Sequence, residues 1–196
     1  RFQSVDRSWI KIMSTAEAEP NVIKLCYSDE MLRDLLPHLK DSLEKCQKSL
    51  SGYLEAKRMI FPRFYFLSDA QLLEILGQGS EPQSIQKHLL SIFGNIATVE
   101  FDQKQKNLIT AMKSAEGEHV PLSEPLMAKG NIEEWLNKLV IAQQETINDI
   151  VRTMSSTVIT ELEGCDKDKL NKFVQTFPSQ ISLLGLQIQW TYEGEN

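Results

Sequence analysis

The side chains with the widest chemical repertoire in this sequence are three histidines, three cysteines and a few paired carboxylates. His38, His88 and His119 stand far apart, with no ligand spacing to one another or to a cysteine, so they do not outline a zinc site. Each reads as an ordinary surface or core-edge histidine, with His88 on a helix surface. Cys26, Cys46 and Cys165 are odd in number and unpatterned, which describes reduced thiols better than a disulfide framework. No serine stands in a Gly-x-Ser-x-Gly elbow, and no local context suggests a Ser/His/Asp arrangement. Gly77-Gln78-Gly79 lacks the lysine and Ser/Thr of a phosphate loop and follows a helix, so it reads as a helix end. Glu133 and Glu134 open a helix, where the dipole favours acids. Glu161 and Glu163 fall on a solvated face. The expectation is a chain with no catalytic, metal or cofactor-binding residues.

What remains is contact chemistry, and it concentrates at residues 57–68. Phe61, Phe64, Tyr65 and Phe66 fall within six residues of a chain that is only 8% aromatic. Pro62 fixes its own φ and disfavours helix at Phe61, so a helix should stop there. Residues 64–67 then read as a short strand-like piece, with Phe64 and Phe66 on one side and Arg63 and Tyr65 on the other. The phenylalanines are expected in a core, and Arg63 and Tyr65 are candidates for a polar interdomain contact. Ser68 with Gln71 forms a capping box that opens the next helix.

A second contact region is expected at residues 96–122. Short β-branched stretches alternate there with polar turns at 102–107 and 116–118, which reads as a hairpin or three-stranded patch. Such a patch leaves unpaired edges and projecting turns. Lys104, Lys106, Glu116 and Glu118 at those turns are the candidate docking residues.

The elements that must position these groups are mostly helical. Phe2, Val5, Trp9, Ile12 and Met13 form one stripe, broken at Glu19-Pro20-Asn21. Asp29 can cap a long helix carrying Leu32, Leu35, Leu36, Leu39, Leu43, Cys46, Leu50 and Leu54, with Pro37 expected to kink or break it. Ser80 with Gln83 repeats the capping box before Ile85, Leu89, Leu90 and Phe93. Asn131, with Glu134 at the third position, opens another long helix bearing Trp135, Leu136, Leu139, Ile147, Ile150, Val151, Met154, Val158 and Leu162, ended by Gly164-Cys165-Asp166. Leu170, Phe173 and Val174 mark a short helix. A last one begins at Phe177-Pro178 and carries Ile181, Leu184, Ile188 and Trp190. The fold class is mainly α, an elongated bundle of long antiparallel helices with a small antiparallel β-hairpin or three-stranded insertion. Residues 1–95 form a helical subdomain with its joint at 57–68, residues 96–129 the β insertion, and residues 130–196 the second long helix with the C-terminal helices.

Bulk properties narrow the partners. At 41% hydrophobic and 24% charged the composition is that of a globular protein, and 196 residues suit one domain or two small ones. A net charge of −6 with interspersed basic residues argues against nucleic acid. It also argues against direct contact with an acidic filament lattice. No apolar run approaches the length of a membrane span. There is no initiator Met or signal peptide, and both ends read as cuts in a longer polypeptide.

The run "KRMIFPRFYFLSDAQLLEILGQ" resembles the linker region of dynein heavy chains. Upstream, "VDRSWIKIM" is similar to that family's Val/Ile-Asp-x-x-Trp-x-x-Ile-Met element, and "LEKCQKSLSGYLEAKR" to the helix before the joint. "PQSIQKHLLSIFGNIATVEFD", "AMKSAEGEHVPL", "IEEWLNKL" and "LLGLQIQWT" follow in the family's order, so the resemblance covers nearly the whole chain. It implies a central-to-C-terminal portion of a linker that arches over an AAA+ ring and converts ATP-driven ring motion into a power stroke, with a lean toward axonemal chains. The implied partners are the AAA+ ring of the same heavy chain and other dynein subunits, with the microtubule reached only through a distant stalk. ATP and magnesium would belong to the AAA+ modules, not to this segment. The implied setting is cytoskeletal, in a cilium or flagellum. An alternative of another class is a helical adaptor that binds partner helices.

Overall fold

In the computed structural model, residues 1–27, 30–78, 81–162 and 167–195 are described. They are mainly helical, with one three-stranded antiparallel sheet. The chain divides into two compact units, Arg1–Met59 and Ile60–Asn196.

The first unit holds α1 (Phe2–Ala18), α2 (Val22–Tyr27) and most of α3 (Glu30–Ile60). The break after α1 falls where Glu19-Pro20-Asn21 demands it. Asn21 Oδ1 accepts from the backbone N–H of Ile23 at 3.1 Å and of Lys24 at 3.2 Å, capping α2. The α1 stripe is amphipathic but largely uncovered: Val5 is buried, while Phe2, Trp9 and Met13 are exposed. Pro37, expected to kink or break the helix, does not break it, and α3 runs through it as one helix. Proline removes one ladder bond, and here that loss does not end a 31-residue helix. Leu32, Leu39 and Leu54 are buried, whereas Leu36, Leu43 and Leu50 are exposed. Asp29 lies outside the described residues.

The second unit opens on the aromatic joint, and the strand-like reading of 64–67 is corrected. Pro62–Phe66 is a 3-10 helix with its proline at the first position, where a missing N–H costs nothing. With three residues per turn, Phe61, Phe64 and Leu67 share a face. These three are buried, and Phe66, expected in the core, is 71% exposed. The Phe61 and Phe64 rings meet edge to face at 4.9 Å between centroids. The Ser68 capping box forms as read: Gln71 N donates to Ser68 Oγ at 3.3 Å and Ser68 N to Gln71 Oε1 at 3.0 Å. It opens α4 (Asp69–Gly77), which ends at the expected turn. Ser80 lies outside the described residues. A 3-10 turn, Pro82–Ile85, leads into α5 (Gln86–Phe93). His88 is buried instead of lying on the surface, with Nε2 3.3 Å from Glu74 Oε2 but without good hydrogen-bond geometry. Leu90, placed on the apolar stripe, is exposed.

Strands β1 (Thr98–Phe101), β2 (Leu108–Lys113) and β3 (His119–Met127) form a meander in the order β1-β2-β3. Strand β3 runs five residues past the predicted end at Leu122. The turn at 102–107 is built by Asp102 Oδ1, which accepts from Lys104 N at 2.7 Å and Gln105 N at 2.8 Å. The other turn places Gly117 at φ 88, a left-handed conformation that suits glycine. Each outer edge, expected to be unpaired, is met at one residue by a helix side chain. The Gln86 amide pairs with both backbone groups of Val99, at 2.7 and 3.0 Å, on the β1 side. On the β3 side Ser123 N donates to Thr146 Oγ1 at 3.0 Å and Ser123 Oγ to Asp149 Oδ2 at 2.9 Å.

Helix α6 (Ile132–Leu162) packs along β3 through its first half. Asn131 Nδ2 donates to Glu134 Oε1 at 2.7 Å, and Glu133 and Glu134 occupy the first turn, as the dipole favours. Trp135, Leu136 and Leu139 are buried there. Its second half forms a separate cluster, in which Met154 and Val158 pack with Phe173 of α7 (Lys167–Thr176) and Ile181 of α8 (Ser179–Glu195). The buried face of α8 is Ile181, Ser182, Gly185 and Gln189; Leu184 and Trp190, read as core, are exposed. Glycine at 185 lets α8 approach Phe173, and this close approach selects the face. Glu163 and Gly164-Cys165-Asp166 lie outside the described residues, as do the side chains of Cys26 and Glu161. Cys46 is a free thiol.

Candidate functional site

The second unit carries a groove of about 900 Å³. Its walls come from four places: Arg63 of the joint, residues 94–96 after α5, the β2–β3 hairpin, and the facing turns of α6 and α8. Ile96, Met112, Val120, Val140, Ile147 and Ile181 give an apolar lining, and Asn95, Gln143, Gln144, Asn148 and Gln180 supply five amides.

Three of the six sequence-picked residues, Arg63, Glu116 and Glu118, line this groove. Tyr65, Lys104 and Lys106 do not. Arg63 is committed to its own unit. Its Nη1 donates to Ile92 O at 3.3 Å, and its guanidinium lies 5.3 Å from the Phe93 ring centroid. A cation on the last carbonyls of α5 complements the negative end of that helix. The turn it closes continues through Gly94 at φ 75. Glu118 points inward too: one oxygen accepts from both the backbone N and the hydroxyl of Ser179, at 2.7 Å each, at the start of α8. Glu116 is exposed at the hairpin tip. Tyr65, Lys104 and Lys106 are exposed as well, and the Lys106 carbonyl accepts from Gln83 Nε2 at 3.4 Å.

Beside the groove, Glu100 links the three strands, paired with Lys113 and with His119 Nε2 at 3.0 Å. The Lys113 ammonium, then His119, holds its carboxyl below the usual value. Glu74 is lowered in the same way, first by its hydrogen bond from Lys87. Neither arrangement juxtaposes an acid with a base and a substrate cavity. Among the described residues no group of three or more His, Cys, Asp or Glu could hold a metal. No described helix is long and apolar enough to cross a membrane. The groove can bind by shape, amide hydrogen bonds and apolar contact.

The residues that sequence reading missed are the amides. Gln143 and Gln144 interrupt the α6 stripe between Leu139 and Ile147, and that gap was the available signal. Gln86 and Asn137 gave none. Asn137 Nδ2 donates to Ile60 O at 3.1 Å across 77 residues.

Comparison with known proteins identifies the lineage. The family model described as dynein heavy chain, N-terminal region 2, matches residues 1–154. Dynein axonemal heavy chain 5 of Rattus norvegicus is 47% identical over 195 residues, covering 100% of this chain and 6% of the relative. The dynein gamma chain, flagellar outer arm, of Chlamydomonas reinhardtii is 41% identical, covering 98% of this chain and 4% of the relative. Cytoplasmic dynein 2 heavy chain 1 of Homo sapiens is 40% identical, covering 100% and 4%. The chain therefore spans only a small fraction of these relatives' length, although about four of every five of its residues fall within the matched family region. On that match and those identities, the chain belongs to the dynein heavy chain family.

Proposed function

We propose that this segment is a mechanical linker of a dynein heavy chain, passing ATP-driven motions of an AAA+ ring into a power stroke along microtubules. The setting we propose is the axoneme of a cilium or flagellum, following the names of its axonemal relatives. ATP hydrolysis belongs, in this reading, to modules outside the segment, and the AAA+ ring and other dynein subunits are its partners.

The observation that carries the reading is the way the joint is built into its unit. Phe61, Phe64 and Leu67 are buried. Arg63 ties the 3-10 turn to the end of α5, and Asn137 ties Ile60 to α6. A force-bearing element needs such cross-links, because packed cores move as bodies and do not deform continuously. The exposed Leu36, Leu43 and Leu50, at seven-residue spacing on α3, favour the second reading, an adaptor for partner helices.

The test is Arg63→Ala in the intact heavy chain, which cuts one cross-link without emptying the core. The expected result is slower microtubule gliding with microtubule-stimulated ATP hydrolysis retained. Unchanged gliding velocity would sink the mechanical reading of the joint. Loss of co-purifying helical partners without a change in gliding would favour the adaptor.

A further inference from the structure

The tip of the β2–β3 hairpin is internally fixed. Ser114 N donates to Glu118 O at 3.0 Å, Gly117 N to Ser114 O at 3.2 Å, and Glu118 N to Ser114 Oγ at 3.2 Å. The Glu118 side chain leaves this frame and crosses to α8. There a single oxygen takes both Ser179 N–H and Ser179 O–H at 2.7 Å. Two features make this one fastening. The hydrogen bonds from the tip to α8 converge on one atom, and they join an anion to a helix N-terminus, whose free N–H groups favour negative charge. The tip and the first turn of α8 are two walls of the groove, and Met112, 5% exposed, lines the interior near the tip.

We propose that residues 114–118 are a releasable wall of this groove, fastened to α8 by the Glu118 carboxylate and released by any negative charge placed at Ser179. The mechanism is exchange of one negative charge for another. An acid at position 179, in the first turn of α8, is favoured by the helix dipole and repels Glu118 across a hydrogen-bond distance. The helix keeps a negative charge at its N-terminus, the hairpin loses its two hydrogen bonds to Ser179, and the apolar interior becomes more accessible. Ser179 is exposed, so a charge can be placed there without unpacking a core. This inference stands on the local geometry and does not depend on the linker reading.

The test is peroxide oxidation of the intact heavy chain, with Met112 and Met154 followed separately by peptide mass. Met112 lies in the groove, and Met154, 0% exposed, lies in the other cluster and reports general unfolding. Ser179→Asp should speed Met112 oxidation about tenfold, the scale expected for losing a charge-assisted hydrogen bond, with Met154 unchanged. The double variant Glu118→Lys with Ser179→Asp restores opposite charges and should return Met112 to its original rate. Met112 oxidation unaltered in Ser179→Asp overturns the proposal. So does acceleration that the double variant fails to reverse, because the effect is then damage and not charge.

Discussion

Gly185 is the residue at which the C-terminal cluster leaves no room, and its replacement tests the packing order of α6, α7 and α8. A Cβ at this position would lie 2.5 Å from Phe173 Cζ and 3.0 Å from both Phe173 Cε1 and Met154 Sδ. Packed carbons sit about 3.5–4.0 Å apart, so the ring must retreat by roughly 1 Å. Phe173 is 1% exposed and has Phe177 beside it at 5.3 Å, so it has little space to move into. Two terms oppose each other in Gly185→Ala. Alanine in a helix interior gains about 1 kcal/mol over glycine. Forcing a methyl into a filled core costs about 1–3 kcal/mol, here at the upper end because the clash falls on a ring. The net is a loss of about 1–2 kcal/mol, or roughly 5- to 30-fold faster hydrogen exchange over 173–186. Gly52 in α3 supplies the contrast: a Cβ there meets nothing within 4 Å. Gly52→Ala should therefore slow exchange in its own stretch of α3, by up to about fivefold. If Gly185→Ala also slows exchange in its own segment, α8 is not pressed against Phe173 and the proposed packing is wrong. Phe173→Leu in the Gly185→Ala background should recover part of the loss, since it removes the atoms that clash.

Phe64→Ala should destabilise the second unit by about 3–5 kcal/mol, since it deletes a fully buried ring, while Phe66→Ala stays within about 0.5 kcal/mol; denaturant unfolding followed by circular dichroism separates them. Gln86→Ala removes both bonds at Val99 and should cost about 1–3 kcal/mol, read as faster exchange at the Val99 amide, whereas an unchanged amide means that water serves as well. Glu74 and Glu100 have carboxyls lowered from 4.5 by Lys87 and by Lys113 with His119. Their unfolded forms bind protons more readily, so their contribution is complete above about pH 4.5 and is lost as pH falls further. Glu100→Gln should flatten that acid limb of a stability profile at low salt, where exposed pairs are least screened.

Much of the fold was legible because local signals and tertiary packing agreed. The Ser68–Gln71 capping box, the Asp102 turn, the Gly117 turn and the start of α6 after Asn131 sit where residue type and spacing put them. The joint was misread because a short aromatic run after proline serves equally as strand or 3-10 turn, and only the three-residue face of Phe61, Phe64 and Leu67 decides between them. The α8 face was misread for another reason. Its position is set by the absence of a side chain at Gly185, and a hydrophobicity pattern has no symbol for vacant space. The candidate site was half legible: turn placement led to Glu116 and Glu118, and Arg63 was reached through the strand-like reading that the 3-10 turn replaces, but long-range partners such as Ser179, 61 residues from Glu118, leave no local trace.

The covered sheet edges bear on how the chain survives its own synthesis. Gln86 precedes the strand it blocks by only 13 residues, so the outer side of β1 can be shielded as soon as that strand emerges. The outer side of β3 must wait 23 residues, until Thr146 of α6 has left the ribosome. During that interval β3 offers backbone donors and acceptors to any neighbouring nascent strand, which is the condition for aggregation. Slow translation between residues 127 and 146 thus prolongs the interval in which the outer side of β3 in this chain lacks its α6 partner.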